Sequence, residues 1–204
     1  MIKLAVFVSG RGSNLKSILQ KIDSGKLDAS VSAVISDKKE CPALSFSEEQ
    51  GISTFSVSAK EKEGYCSYNY LVEQLVKLEV DLIVLAGFLK KIPDELVDHF
   101  ENKIINIHPA LLPSFGGKGM YGANVHKAVY ESSAKVSGAT VHFVNKVYDE
   151  GRIIAQRCVD ISMAASPDEI AAKVLEIEHE LLPAVIQSFC ENRVKIINNR
   201  VEIN

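Results

Sequence analysis

Asn106 and His108 stand two residues apart, and proline follows at once at 109, within Asn106-Ile107-His108-Pro109-Ala110-Leu111-Leu112-Pro113. On a strand, residues two apart share a face, so both side chains leave the sheet on the same side. Pro109 biases His108 toward an extended backbone and stiffens the exit. An amide that holds a carbonyl oxygen, beside an imidazole that gives a proton, suits acyl transfer. Downstream, Asp149-Glu150-Gly151 offers a carboxylate. Close to His108 it would fix the imidazole tautomer, favour the charged form and raise its pKa. The plainer alternatives are a structural Asn and His at a strand end, and a polar turn at Asp149.

A second group is Ser9-Gly10-Arg11-Gly12-Ser13-Asn14, between an apolar run and a helical pattern. Glycines let the backbone approach an anion, and a helix N-terminus offers N–H groups and a positive dipole end. The motif is neither G-x-G-x-x-G, since Leu15 occupies the third glycine position, nor a Walker loop. It reads as a mononucleotide phosphate site or as a capped βα turn. His99 and His126 read as solvated surface groups. His142, between apolar residues, reads as a core group or one supporting the site. Glu176, Glu178 and Glu180 would ordinarily form a solvated helix face.

These residues need a scaffold, and the chain supplies alternating strand and helix patterns. Lys3 to Val8 is a buried strand. Leu15, Ile18, Leu19 and Ile22 form one face of a helix that Gly25 stops. Strands follow at Val31 to Ser36 and Ser53 to Val57, with a helix from Pro42 to Gln50 between them. A helix from about Tyr68 to Leu78, a strand from Asp81 to Ala86, a helix from Pro93 to Phe100 and a strand from Lys103 to Ile107 complete the first half. The second half has a Pro/Gly-rich loop from Pro109 to Gly122 and a helix from Asn124 to Ser132. Strands follow at Ala139 to Asn145 and Arg152 to Val159, then a long helix from Pro167 in which Pro183 should open a separate turn. Asn198-Asn199 suggests a terminal hairpin. This order predicts an α/β, Rossmann-like fold: a mostly parallel central sheet with helices on both faces and an antiparallel portion in the C-terminal half.

The chain has 204 residues, 47% hydrophobic and 24% charged, with a net charge of −3, so no global field draws it to nucleic acid or an anionic membrane. No apolar stretch reaches the ~18 residues of a membrane span, and the short run at Leu4 to Val8 is no signal-peptide core. The four cysteines, Cys41, Cys66, Cys158 and Cys190, lack metal-ligand or disulfide-framework spacing. The expectation is a cytoplasmic protein with reduced thiols and no metal.

Taken together, the chain resembles the phosphoribosylglycinamide formyltransferase family of folate-dependent formyltransferases over nearly its whole length. The resemblance rests on Ser9 to Asn14, Leu85-Ala86-Gly87-Phe88, Asn106 to Pro113, Val141-His142-Phe143-Val144 and Asp149-x-Gly151. It implies one formyltransferase domain over 1–204, with a ribonucleotide phosphate-binding half at 1–100 and a catalytic and folate-binding half at 101–204. It implies that Gly12, Ser13 and Asn14 bind phosphate and that Glu178 contacts ribose hydroxyls. Leu89, Lys90, Lys91 and Ile92, with Asn106 and the loop before Asp149, would bind 10-formyltetrahydrofolate. Asn106, His108 and Asp149 would be catalytic. The implied reaction moves the formyl group of 10-formyltetrahydrofolate to the amine of N1-(5-phospho-D-ribosyl)glycinamide, in purine synthesis. The partners would then be small molecules, with no nucleic acid, membrane or obligate protein partner. The rival readings are a 10-formyltetrahydrofolate hydrolase and a nucleotide-binding module without catalysis. Methionyl-tRNA formyltransferase shares the central motif but carries an added tRNA-binding domain.

Overall fold

Leu4 to Val8 are wholly buried without any alternation, which requires cover on both faces of the strand, as in a parallel sheet. A computed structural model describing residues 1–204 places them in β1 (Ile2–Val8). The main sheet has seven strands and is mostly parallel, with an antiparallel portion toward the C-terminal end. No helix is long and apolar enough to cross a membrane.

The chain divides into two compact units, Met1–Ile105 and Asn106–Asn204. The first contains β1, α1 (Ser13–Asp23), β2 (Ala29–Ser36), α2 (Pro42–Glu49), β3 (Ser53–Ser56), α3 (Tyr68–Lys77), β4 (Leu82–Leu85) and α4 (Asp94–His99). Its strands lie in the order β3-β2-β1-β4 and pair in parallel throughout. Such an arrangement needs crossover helices, which α1 and α2 provide. Phe7 meets Phe88 edge to face, with ring centroids 5.3 Å apart. Each such buried aromatic or aliphatic side chain contributes roughly 1.5–3 kcal/mol.

Strand β5 (Ile104–His108) begins in the first unit and ends in the second. The second unit then carries α5 (Ala123–Glu131), β6 (Val136–Phe143), β7 (Ile153–Asp160), α6 (Pro167–Cys190) and the hairpin β8 (Val194–Ile197) and β9 (Arg200–Ile203). Strands β6 and β7 pair antiparallel, and β8 pairs antiparallel with β9. Asn198 and Asn199, at φ 48° and 63°, make the expected two-residue turn.

Two differences from the expectation are the largest. Helix α6 continues through Pro183 to Cys190 instead of breaking there. Leu181, Leu182, Pro183, Val185 and Ile186 are all buried, and that packing offsets the backbone hydrogen bond proline removes. Strand β6 begins at Val136, three residues before Ala139, because Gly138 lies inside the strand and does not mark a loop. A Cβ on Gly138 would lie 2.1 Å from the Arg157 carbonyl oxygen on β7 and 2.8 Å from the Leu111 side chain. Gly138→Ala is therefore expected to destabilise the fold by about 1–3 kcal/mol, or more if β7 cannot shift. A denaturant midpoint unchanged from the parent protein would show that the β6–β7 spacing is not tight.

Candidate active site

Strand β5 delivers Asn106 and His108 at its C-terminal end, with His108 only 3% exposed and Asn106 half-buried. His108 Nε2 lies 2.9 Å from the Phe115 carbonyl oxygen. A carbonyl only accepts, so Nε2 carries the hydrogen. Nδ1 then faces the Asp149 carboxylate, 3.7 Å from Oδ2. The carboxylate does pull toward the charged imidazole, as the sequence suggests. Burial pulls the other way and is the larger effect, so the His108 pKa lies below its ordinary 6.5. Asp149 thus acts in the expected direction, but the net shift is downward because burial outweighs it.

Asn106 meets this pair through His142 on β6. His142 Nδ1 donates to the Phe143 carbonyl at 2.8 Å, and Asn106 Nδ2 sits 3.1 Å from His142 Nε2. With Nδ1 committed to the Phe143 carbonyl, Nε2 is the ring nitrogen that meets the Asn106 amide nitrogen. Asp149 Oδ1 lies 3.6 Å from the same Nε2, beyond good hydrogen-bond range, so the shorter Asn106 contact sets the proton arrangement. His142 is thus the supporting group that its apolar strand context suggests. Asn106, His142, Asp149 and His108 form one continuous cluster.

Asp149 is held by its backbone. It adopts φ 56°, and its Oδ2 accepts from the Gly117 N–H at 2.8 Å. Burial pushes its pKa up, but His142, His108 and the Gly117 amide together hold it below the ordinary 3.8. Gly151 explains the Asp-x-Gly spacing: a Cβ there would lie 1.7 Å from the Phe143 carbonyl oxygen. Sequence reasoning did not pick out Phe115 or Gly117, whose main-chain groups hold His108 and Asp149. Their signal was the Gly-rich run after Phe115, since a Cβ at Gly116 would sit 2.5 Å from Leu112 and 3.2 Å from the Asp149 Cβ. The preceding turn is pinned by Thr140, which donates to the Ala110 carbonyl at 2.6 Å and accepts from Leu112 N–H at 3.0 Å. Gln156 donates to the Leu112 carbonyl at 2.8 Å.

Elsewhere in this unit, Glu178 is buried, whereas Glu176 and Glu180 are exposed. The inward stripe of α6 runs through Ile170, Val174, Glu178 and Leu182, four residues apart, and Ile177 is only half-buried. Glu178 lies within the stripe itself, not at the border where a stripe through Ile177 would put it. His126 is also buried, not solvated, and its Nδ1 has no hydrogen-bond partner. Burial, with His108 nearby, lowers its pKa.

In the first unit, Gly12 caps α1 in the left-handed region at φ 70°, and a Cβ there would lie 2.7 Å from the Ala43 Cβ. No side chain caps α1, and its first turn has no acidic residue. Such a helix start suits an anion. The loop is braced from α2, where Cys41 Sγ and the Ala43 N–H both donate to the Gly10 carbonyl, at 3.0 and 3.3 Å. Ser13 is exposed and Asn14 buried. Of the segment read as pterin-binding, Leu89, Lys90 and Lys91 are exposed, Lys91 pairs with Asp94 at 2.9 Å, and Ile92 is buried.

Acid should destabilise this arrangement in two windows. His108, His126 and His179 all have pKa values lowered by burial. As pH falls below 6.5, the unfolded chain takes up protons that the native histidines refuse, so stability drops. Asp149, with its native pKa below 3.8, stabilises the fold above that pH and loses this only as pH falls through the lower native value. Denaturant titrations between about pH 7 and pH 5 should show a falling unfolding free energy, with a shallower slope for His126→Gln. A pH-independent stability over that range would mean these histidines are not buried neutral.

Comparisons with known proteins point to one family. The family model described as formyl transferase matches residues 2–186. A chloroplastic phosphoribosylglycinamide formyltransferase of Arabidopsis thaliana is 47% identical over 195 residues, covering 95% of this chain and 67% of that protein. The phosphoribosylglycinamide formyltransferase of Bacillus subtilis (strain 168) is 35% identical over 203 residues, covering 99% of both. The crystal structure of phosphoribosylglycinamide formyltransferase from Anaplasma phagocytophilum superposes with a TM-score of 0.89 at 31% identity, covering 100% of this chain and 93% of that one. With a family model matched over residues 2–186 and these relatives, the chain that carries this Asn-His-His-Asp cluster belongs to the formyl transferase family.

Proposed function

We propose that this transferase moves the formyl group of 10-formyltetrahydrofolate to the primary amine of N1-(5-phospho-D-ribosyl)glycinamide. The observation that carries the reading is the continuous Asn106–His142–Asp149–His108 cluster, in a chain whose relatives bear that enzyme's name. The amine attacks the formyl carbon, and negative charge develops on the formyl oxygen. Asn106, turned by His142, donates its second amide N–H to that oxygen, and His108, on gaining a proton at Nδ1 as the amine attacks, places positive charge beside it. Each such donor typically supplies ~3–4 kcal/mol to the transition state.

The opposed pulls of burial and Asp149 on His108 refine how it acts. Burial disfavours the imidazolium until a second negative charge, the developing oxyanion, joins Asp149 in favouring it. The proton leaving the attacking amine then passes by way of His108 and Asp149 to N10 of the departing folate. A group that is neutral at rest and gains charge only in the transition state discriminates between the two, as catalysis requires.

Ribonucleotide binding is assigned residue by residue. Gly12, Ser13 and Asn14, at an uncapped helix start, receive the phosphate. Glu178, turned inward between two outward-facing acids, accepts hydrogen bonds from the ribose hydroxyls. Leu89 to Ile92 contact the folate pterin. The first unit thus supplies phosphate recognition and the second the chemistry, in a cytoplasmic setting consistent with four free cysteines.

Incubating the protein with the ribonucleotide and a 10-formylfolate should yield the N-formyl ribonucleotide. Folate-product release independent of the amine would instead assign a hydrolase, and no turnover would remove the reading. His108→Ala should lower kcat by ~100- to 1,000-fold with the fold retained, and near-normal turnover would remove His108 from its role. Glu178→Ala should raise the ribonucleotide KM about tenfold or more, as loss of charge-assisted hydrogen bonds does. Glu176→Ala and Glu180→Ala should change little. Equal small effects from all three would leave Glu178 a structural residue.

A further inference from the structure

One buried hydroxyl in the first unit connects the ends of three strands. Ser9, 4% exposed, directly follows β1 and opens the loop assigned to phosphate. Its N–H donates to the Gly87 carbonyl at 3.1 Å. Its Oγ–H donates to Asp37 Oδ1 at 2.6 Å, just past the end of β2, and the same oxygen accepts from the Leu89 N–H at 2.9 Å, beyond the end of β4. A hydroxyl has one hydrogen, so giving it to the carboxylate leaves lone pairs free for Leu89. The short charge-assisted bond also polarises the oxygen and makes it a better acceptor. Asp37 is itself partly sheltered, and burial together with the Asp37 charge pushes the pKa of Tyr68 up to about 12.

We infer that Ser9 is a positioning residue that couples the phosphate loop, Gly10 to Asn14, to the segment Gly87 to Ile92, with Asp37 as its orienting acceptor. Neither substrate touches Ser9; it sets the shape of both binding segments through one oxygen. This rests on the binding roles assigned to the two segments above.

The test uses Ser9→Ala, Asp37→Ala and Asp37→Asn in the full chain. Asparagine keeps an acceptor oxygen in the place of Oδ1, whereas alanine removes it. Ser9→Ala and Asp37→Ala should each raise KM for both the ribonucleotide and the 10-formylfolate ~10-fold. Their kcat should stay within about twofold, because the loss falls on uniform binding. Asp37→Asn should remain close to the parent protein. A rise in only one KM, or an Asp37→Asn variant as impaired as Asp37→Ala, would overturn the coupling.

Hydrogen exchange on the unliganded protein reads the same device without reference to activity. Amides of residues 10–14 and 86–92 should both exchange faster in Ser9→Ala and Asp37→Ala, and at the parental rate in Asp37→Asn. Faster exchange confined to one segment would sink the proposal. If the parent protein transfers no formyl group, the functional reading fails while exchange still decides the coupling. Should Ser9→Ala fail to fold, the two Asp37 variants decide it by themselves.

Discussion

A histidine ring pressed into the protein interior beside a carboxylate faces opposed demands, and the second unit is arranged around how they balance. Burial of His108 penalises the imidazolium; Asp149 and the Phe115 carbonyl favour it; burial prevails. A more solvated site would let the pair settle into a standing salt bridge, leaving little further response when charge develops nearby. A site without Asp149 would leave the ring neutral throughout. The intermediate condition depends on distances of a few ångströms, held by main-chain groups at Phe115, Gly117 and Phe143.

Holding those distances explains several residues that carry no chemistry. Gly116 is small because Leu112 and Asp149 already fill the space its side chain would need, and Gly151 because the Phe143 carbonyl passes there. Gly138 lets β7 approach β6, the strand that carries His142. Thr140 and Gln156 pin the turn after β5 by hydrogen bonds to its main chain. In the first unit, Gly12 plays the corresponding part, admitting Ala43 of α2 against the loop.

The succession of elements, the mostly parallel sheet with its antiparallel portion and the convergence of His108 with Asp149 were legible in the sequence, because alternation, β-α order and the Asn-x-His-Pro spacing are local signals. What escaped was non-local. His126 looks solvated on its own helix, but the surrounding elements cover it. Pro183 looks like a break, but core packing carries α6 through it. The Glu178 direction was right and its stripe one residue off, since Ile177 and Glu178 are adjacent on the wheel and only packing decides which is inward. The sign of the His108 shift could not be read from its partner's charge, because burial is a property of the whole unit.

The segment Phe115-Gly116-Gly117 offers a carbonyl to the imidazole and, two residues later, an amide hydrogen to the carboxylate. Neither atom belongs to a side chain. Much of the polarity that disciplines this pair is therefore carried by backbone conformation, which the glycines at 116 and 117 permit. Alanine at Gly116 or Gly117 would disturb it only indirectly, by forcing the backbone to shift. Amide-to-ester replacement at Gly117, which deletes a single hydrogen and leaves every side chain in place, addresses that layer of the design directly.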